Sequence, residues 1–201
     1  MTCFALPINF DDFFFQEHVV QFIEYFEGEQ QSVILTEYLE GGELFQRISS
    51  PDYHLTEAKC RDLCRQILKG VDFIHSKRIL HLDLKPQNIV LCHKLQEKKS
   101  SNNGSSSSHN GSENGQGHPD KLKIIDFGLA RALGPPGTGE VIPINMCGTL
   151  EFMSPEVMRC SHASPASDIW SIGVILFMMV SGGLSPFWGG NEYRTQRNVL
   201  R

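Results

Sequence analysis

From Val19 onward the chain falls into short apolar runs separated by polar turns. VVQFIEYF, the polar EGEQQ and SVILTEYL read as two strands joined by a hairpin, because β-branched and aromatic residues cluster on either side of a turn-forming stretch. Over 55–76 the period changes. Cys60, Leu63, Cys64, Ile67, Leu68, Val71 and Ile74 recur every three or four residues, with Glu57, Lys59, Arg61, Arg65 and Lys69 between them, which predicts an amphipathic helix. Thr56 is a ready N-cap, and Glu57 suits a first helical turn. Two shorter apolar runs, 89–92 and 122–125, predict short strands. Between them, 93–120 is nearly empty of apolar residues and rich in Ser, Asn and Gly; such a composition cannot offset its chain entropy by burial, so disorder is expected. The run 169–180 is apolar on all sides, as a fully buried helix is, and too short to span a membrane. Residues 1–15 follow no pattern that assigns an element.

Composition narrows the class. With 201 residues, 40% apolar and 20% charged, the chain is ordinary globular material with enough length for a sizeable core. A net charge of -5 with dispersed Lys and Arg argues for neither nucleic acid nor an anionic membrane as partner. Asp11 and Asp12 interrupt the apolar start, which also lacks a basic opening, so a secretory signal is not expected. The six cysteines show no C-x-x-C pair and no zinc spacing, and His109 and His118 are isolated. Free thiols in a reducing compartment follow: the cytoplasm, with the nucleus as the alternative.

Chemistry concentrates in His81 to Leu91, HLDLKPQNIVL, read together with IIDFG at 124–128. Asp83 and Asp126 each adjoin an apolar run, and Lys85 and Asn88 stand between them. Hard oxygen ligands for Mg2+, a cation for phosphate and a base for a hydroxyl are the parts of a phosphoryl-transfer site. Taken singly, an Asp or Asn near a strand end more often caps a turn; the ordered set outweighs that reading.

H-x-D-x-K-x-x-N followed by D-F-G resembles the protein-kinase catalytic signature. With EGGELF and the terminal SGGLSPFWGGNEYRTQRNVL, the likeness over 19–201 is to Ser/Thr kinases of the calcium/calmodulin-dependent group, particularly the myosin-light-chain and death-associated branches. The resemblance implies an α+β, protein-kinase-like fold, incomplete at both ends. It divides the chain into an unassigned 1–17, the last N-lobe strands and hinge at 18–40, and a mostly helical partial C-lobe at 41–201 carrying the 93–120 insert. It implies ATP and Mg2+ as cofactors and a protein Ser or Thr as substrate. Asp83 would accept the substrate proton, Lys85 would steady the phosphoryl group, and Asn88 and Asp126 would hold the metal. Thr36 would be the gatekeeper, the backbone of Glu37 and Leu39 the adenine hinge, and Val90 the floor beneath the ring. Glu43 would lie near ribose or substrate, although alone it reads as a residue of a first helical turn. Thr149 in Cys147-Gly148-Thr149 would hold the substrate segment and bond Asp83, while Ser154-Pro155-Glu156 stands for A-P-E. His81 and Phe127 would support the site. Asp168, in D-x-W-S-x-G, would bind backbone near the catalytic loop.

Some positions depart from that pattern. No G-x-G-x-x-G and no V-A-I-K lysine precede the first strand, so little or no activity is expected of this chain alone. The alternative function is a truncated, pseudokinase-like binding or competitor module. Glu156 is expected to lack its usual arginine and to stand unpaired. Leu82 replaces an arginine that commonly binds a phosphorylated activation loop, which argues against that control. Regulatory flanking segments or a calmodulin target are not visible. His75 is expected to be structural, through the dipole at its helix end.

Overall fold

The computed structural model describes residues 16–50, 53, 55–94 and 120–201. Expectations for 1–15 and for most of the 93–120 insert lie outside these residues. The described chain is α+β, with three antiparallel strand pairs and five helices. The first pair is the predicted hairpin: β1 (Phe22–Glu27) runs against β2 (Ser32–Thr36), with a register shift between Phe22 and Glu24. Helix α1 (Leu44–Ile48) and the long α2 (Glu57–Ser76) follow. Then come β3 (Ile79–Leu80), a single 3-10 turn at Pro86–Asn88, and β4 (Ile89–Leu91). After the insert, β5 (Leu122–Ile124) pairs with β4, and β6 (Arg131–Ala132) pairs back onto β3. Helices α3 (Pro155–Met158), α4 (Pro165–Ser181) and α5 (Glu192–Val199) complete the chain.

Helix α2 begins as its sequence dictates. Thr56 Oγ1 accepts the Lys59 N–H at 3.3 Å, satisfying one of the amides a helix start leaves without a partner. Its inner face, carrying Leu63, Ile67, Val71 and Ile74, packs in one core with Ile89, Ile124 and Ile175. Gly70 lets the chain before β1 come close: a Cβ there would stand 2.9 Å from the His18 carbonyl oxygen and 2.8 Å from Ile124. That approach allows Ile124 N–H to bond His18 O, and Val20 N–H to bond Ile124 O, each at 2.9 Å. The segment before β1 is thereby tied to β5.

Helix α4 is stapled at its start by a capping box between Ser164 and Ser167, with Pro165 in the first turn, and ends at Gly182 with φ 71°. The expectation of a fully buried helix fails on one face, where Ile169, Phe177 and Val180 are exposed. Apolarity all round fits burial, but only the packed neighbours decide which faces are covered. A second apolar cluster joins Leu80, Leu82 and Leu133 to Met153, Val157 and Val199. The hairpin contrasts with this, since β2 is exposed along its whole length and β1 everywhere after Phe22. Among the described residues no helix is long and apolar enough to cross a membrane.

Candidate active site

Between β3 and β4 the chain cannot continue as a strand, because Leu82 takes φ 62° and turns it sharply. Asp168, fully buried near the start of α4, catches that turn: Oδ2 accepts the His81 N–H and Oδ1 the Leu82 N–H, both at 2.9 Å. His75 Nε2 reaches the same carboxylate at 2.8 Å. The structural role expected of His75 is therefore an interaction with Asp168 rather than with its own helix end. Sequence reasoning missed the pair, because 93 residues separate its members.

His81 is buried between the two halves of the site. Its Nδ1 accepts the Asp83 N–H at 3.3 Å and its Nε2 lies 3.0 Å from the Ile125 carbonyl oxygen. A backbone N–H can only donate, so Nδ1 carries no proton and Nε2–H donates. Burial pushes the His81 pKa below the usual histidine value, with Asp168 acting more weakly in the opposite direction. Phe127 packs on the ring at 5.0 Å between centroids.

Past this support, Asp83 projects its carboxylate among three donors. Lys85 Nζ lies 2.7 Å from Oδ2, Asn88 Nδ2 lies 3.1 Å from the same oxygen, and Thr149 Oγ1 donates to Oδ1 at 2.9 Å. Lys85 also reaches Thr149 Oγ1 at 3.1 Å, closing a triangle between catalytic loop and distant segment. Asn88 Nδ2 further holds the Asp83 carbonyl at 2.9 Å, and the Asn88 carbonyl accepts the Ile125 N–H at 2.9 Å. Thr149 can come this near because Gly148, at φ 98°, has no Cβ; one would stand 2.6 Å from Leu82 O. Asp126 takes φ 63°, and its Oδ1 accepts the Gly128 N–H at 3.1 Å.

With Asn88 Nδ2 committed to donation, its Oδ1 is the atom left for a cation, and Asp126 retains its second carboxylate oxygen. One carboxylate and one amide oxygen fit Mg2+, which completes its shell with phosphate and water; a protein cage is not required. Among the described residues no cluster of three or more His, Cys, Asp or Glu occurs that could hold a metal ion.

Two residues after Asn88, Val90 is buried and bridges to Glu43, which occupies the N-cap of α1 without a side-chain cap bond. The Glu37 N–H bonds Gln21 O at 3.0 Å, while Thr36 Oγ1 donates to Glu37 O at 3.3 Å. The Glu37 carboxylate pairs with Lys123 and accepts the Gln21 N–H, contacts that no local pattern in the chain foretells. Leu39 lies beyond β2, half-buried.

Glu156 requires a correction. It is not left unpaired: Oε1 accepts Ser167 Oγ at 2.8 Å. Burial, the largest single influence, raises its pKa, but the hydrogen bonds from its own backbone N–H and from Ser167, with Ser154 and His162 acting the same way, together hold the carboxyl below its ordinary value. The neutral hydroxyl of Ser167, eleven residues along the chain, supplies the contact expected of a cation.

The family model for the protein kinase domain matches residues 11–201. The chain belongs to the protein kinase domain family. It is 43% identical over 183 residues to myosin light chain kinase 2, skeletal/cardiac muscle, of Oryctolagus cuniculus, covering 91% of this chain and 26% of that protein. Myosin light chain kinase 3 of Danio rerio is 41% identical over 91% of this chain and 22% of its own length. The smooth-muscle myosin light chain kinase of Gallus gallus is 41% identical over 90% of this chain and 8% of its own. The kinase domain described here thus spans about a quarter or less of the length of these relatives.

Proposed function

We propose that this chain is a Ser/Thr protein kinase domain of the calcium/calmodulin-dependent group, moving a phosphoryl group from ATP to a protein hydroxyl. The observation that carries the reading is the triangle of Asp83, Lys85 and Thr149, with separations of 2.7, 2.9 and 3.1 Å. It sets a carboxylate base and a cation where a Ser or Thr hydroxyl could replace the Thr149 hydroxyl. Asp83 would take the proton of the incoming hydroxyl as its oxygen attacks phosphorus, and Lys85 would offset charge on the transferred group. Asn88 and Asp126 would hold Mg2+, which supplies charge neutralisation on the phosphates when bound. The adenine would rest on Val90 and meet the backbone of Glu37 and Leu39, with Glu43 near the ribose or the substrate. His81, Phe127 and Asp168 would act as supports. In this reading 18–40 is the end of an N-lobe and hinge, and 41–201 a C-lobe.

By relationship to the myosin light chain kinases, the substrate would be a protein Ser or Thr, and the site of action the cytoplasm. Calmodulin would act through segments outside these residues. The 201-residue chain by itself would transfer slowly, and its hairpin is exposed along β2. That same exposed apolar surface, including Val33, Ile34 and Leu35, favours the second reading, a binding module without catalysis. Incubating the purified chain with Mg2+, ATP and a Ser/Thr peptide decides between them. Slow transfer abolished by Asp83→Asn is the expected result; no transfer above the Asp83→Asn background would leave the binding module.

A further inference from the structure

Arg78 takes φ 58°, in the left-handed region that favours Gly or Asn over a long side chain. Its guanidinium reaches far along the chain. Nε donates to the Gly134 carbonyl at 2.6 Å, while Nη2 donates to Gly139 O at 3.0 Å and Pro135 O at 3.4 Å. The Arg78 carbonyl in turn accepts the Leu133 N–H at 2.8 Å, and the next two residues pair with β6 through Ile79↔Ala132 and Leu80↔Arg131. A planar fork with several donors suits carbonyls that point from different directions, which a single ammonium does not. Further along, Ile142 and Ala163 exchange both backbone hydrogen bonds, at 2.9 and 3.0 Å. The run from 131 to 142 is therefore fastened at each end and at its middle before the chain delivers Gly148 and Thr149 to Asp83. Leu82, buried with Leu133 in the second apolar cluster, presents no cation to a phosphate.

We propose that Arg78 is a positioning residue: it fastens residues 134–139 to the start of the catalytic loop through backbone carbonyls, so that the segment carrying Thr149 is ordered without phosphorylation. Its effect on catalysis rests on the kinase reading; the anchoring does not. Arg78→Asn suits the left-handed backbone and removes the guanidinium, and Arg78→Lys leaves one ammonium. In the 201-residue chain, hydrogen–deuterium exchange across 131–142 should quicken about fivefold or more in Arg78→Asn and less in Arg78→Lys, with α2 amides unchanged. The peptide KM should rise about tenfold while kcat stays within about twofold, and phosphatase treatment should leave the KM of the unsubstituted chain where it was. Unchanged exchange in Arg78→Asn, equal loosening of α2, an unaltered peptide KM, or a KM raised by phosphatase would each overturn the proposal. If the segment loosens while the unsubstituted chain transfers no phosphate, the anchor stands and the kinase reading falls.

Discussion

Asp168 is fully buried, yet its two oxygens meet two backbone amides and His75, so its charge is compensated on the protein side. A buried carboxylate is tolerated only with such partners, and removing one member of the set leaves the others stranded. Asp168→Asn turns an acceptor atom into a donor facing a donor; we expect a loss of about 3 kcal/mol in urea denaturation. His81 makes a pH-dependent contribution. Its pKa is lowered on folding, chiefly by burial, so the unfolded chain binds a proton that the folded chain resists. The stability that follows is fully present above the ordinary histidine pKa of about 6.5 and declines as pH falls below it. In His81→Asn the dependence of the urea midpoint on pH below about 6.5 should be shallower than in the unsubstituted chain. The motif residues around these two were readable from their order in the sequence, but the His75 contact to Asp168 was not, because no local pattern links residues so far apart.

At the scale of the elements, two helical glycines test whether propensity or packing decides. Glycine costs a helix about 1 kcal/mol relative to alanine, so replacement should help wherever there is room. Gly173, inside α4, has nothing within 4 Å of an added Cβ. Gly173→Ala should therefore raise stability by about 0.5–1 kcal/mol. Gly70 lies inside α2, but a Cβ there would meet Ile124 at 2.8 Å and the His18 carbonyl oxygen at 2.9 Å. Overpacking against backbone costs about 1–3 kcal/mol, which exceeds the propensity gain, so Gly70→Ala should destabilise by roughly 1 kcal/mol net. Thermal or urea unfolding of the two variants should thus shift in opposite directions. Periodicity located α2, which starts two residues after the predicted 55, and a run apolar on all sides located α4. Which glycine had room depended on the segment before β1 packing across α2, an arrangement between elements.

At the scale of the molecule, β4 and β5 pair through Ile89↔Ile124, Val90↔Lys123 and Leu91↔Leu122 despite the long insert between them. The returning chain is clamped at Asp120, which takes Tyr53 Oη at 2.9 Å on its carboxylate and Gln66 Nε2 at 2.9 Å on its carbonyl. Gln66 also accepts the Leu122 N–H at 3.1 Å. Closure entropy grows only with the logarithm of loop length, so replacing 95–119 with a four-residue turn should stabilise the chain by about 1.5 kcal/mol. The replacement should leave the peptide KM unaltered, since Tyr53 and Gln66 hold Asp120, where the described chain resumes before β5. A stability loss, or a changed KM, would show that the insert contributes contacts of its own.

By itself the sequence determined the α+β class, the long helix, the first hairpin and the family, because hydrophobic period and motif order are local properties of the chain. Tertiary structure decided the rest: that Lys85 also meets Thr149, that Glu156 finds Ser167, that Asp168 gathers His75, and that Arg78 holds 134–139. Each of these contacts spans residues distant along the chain. Their partners were selected by packing around left-handed turns and close glycine approaches, geometry that a one-dimensional pattern does not contain.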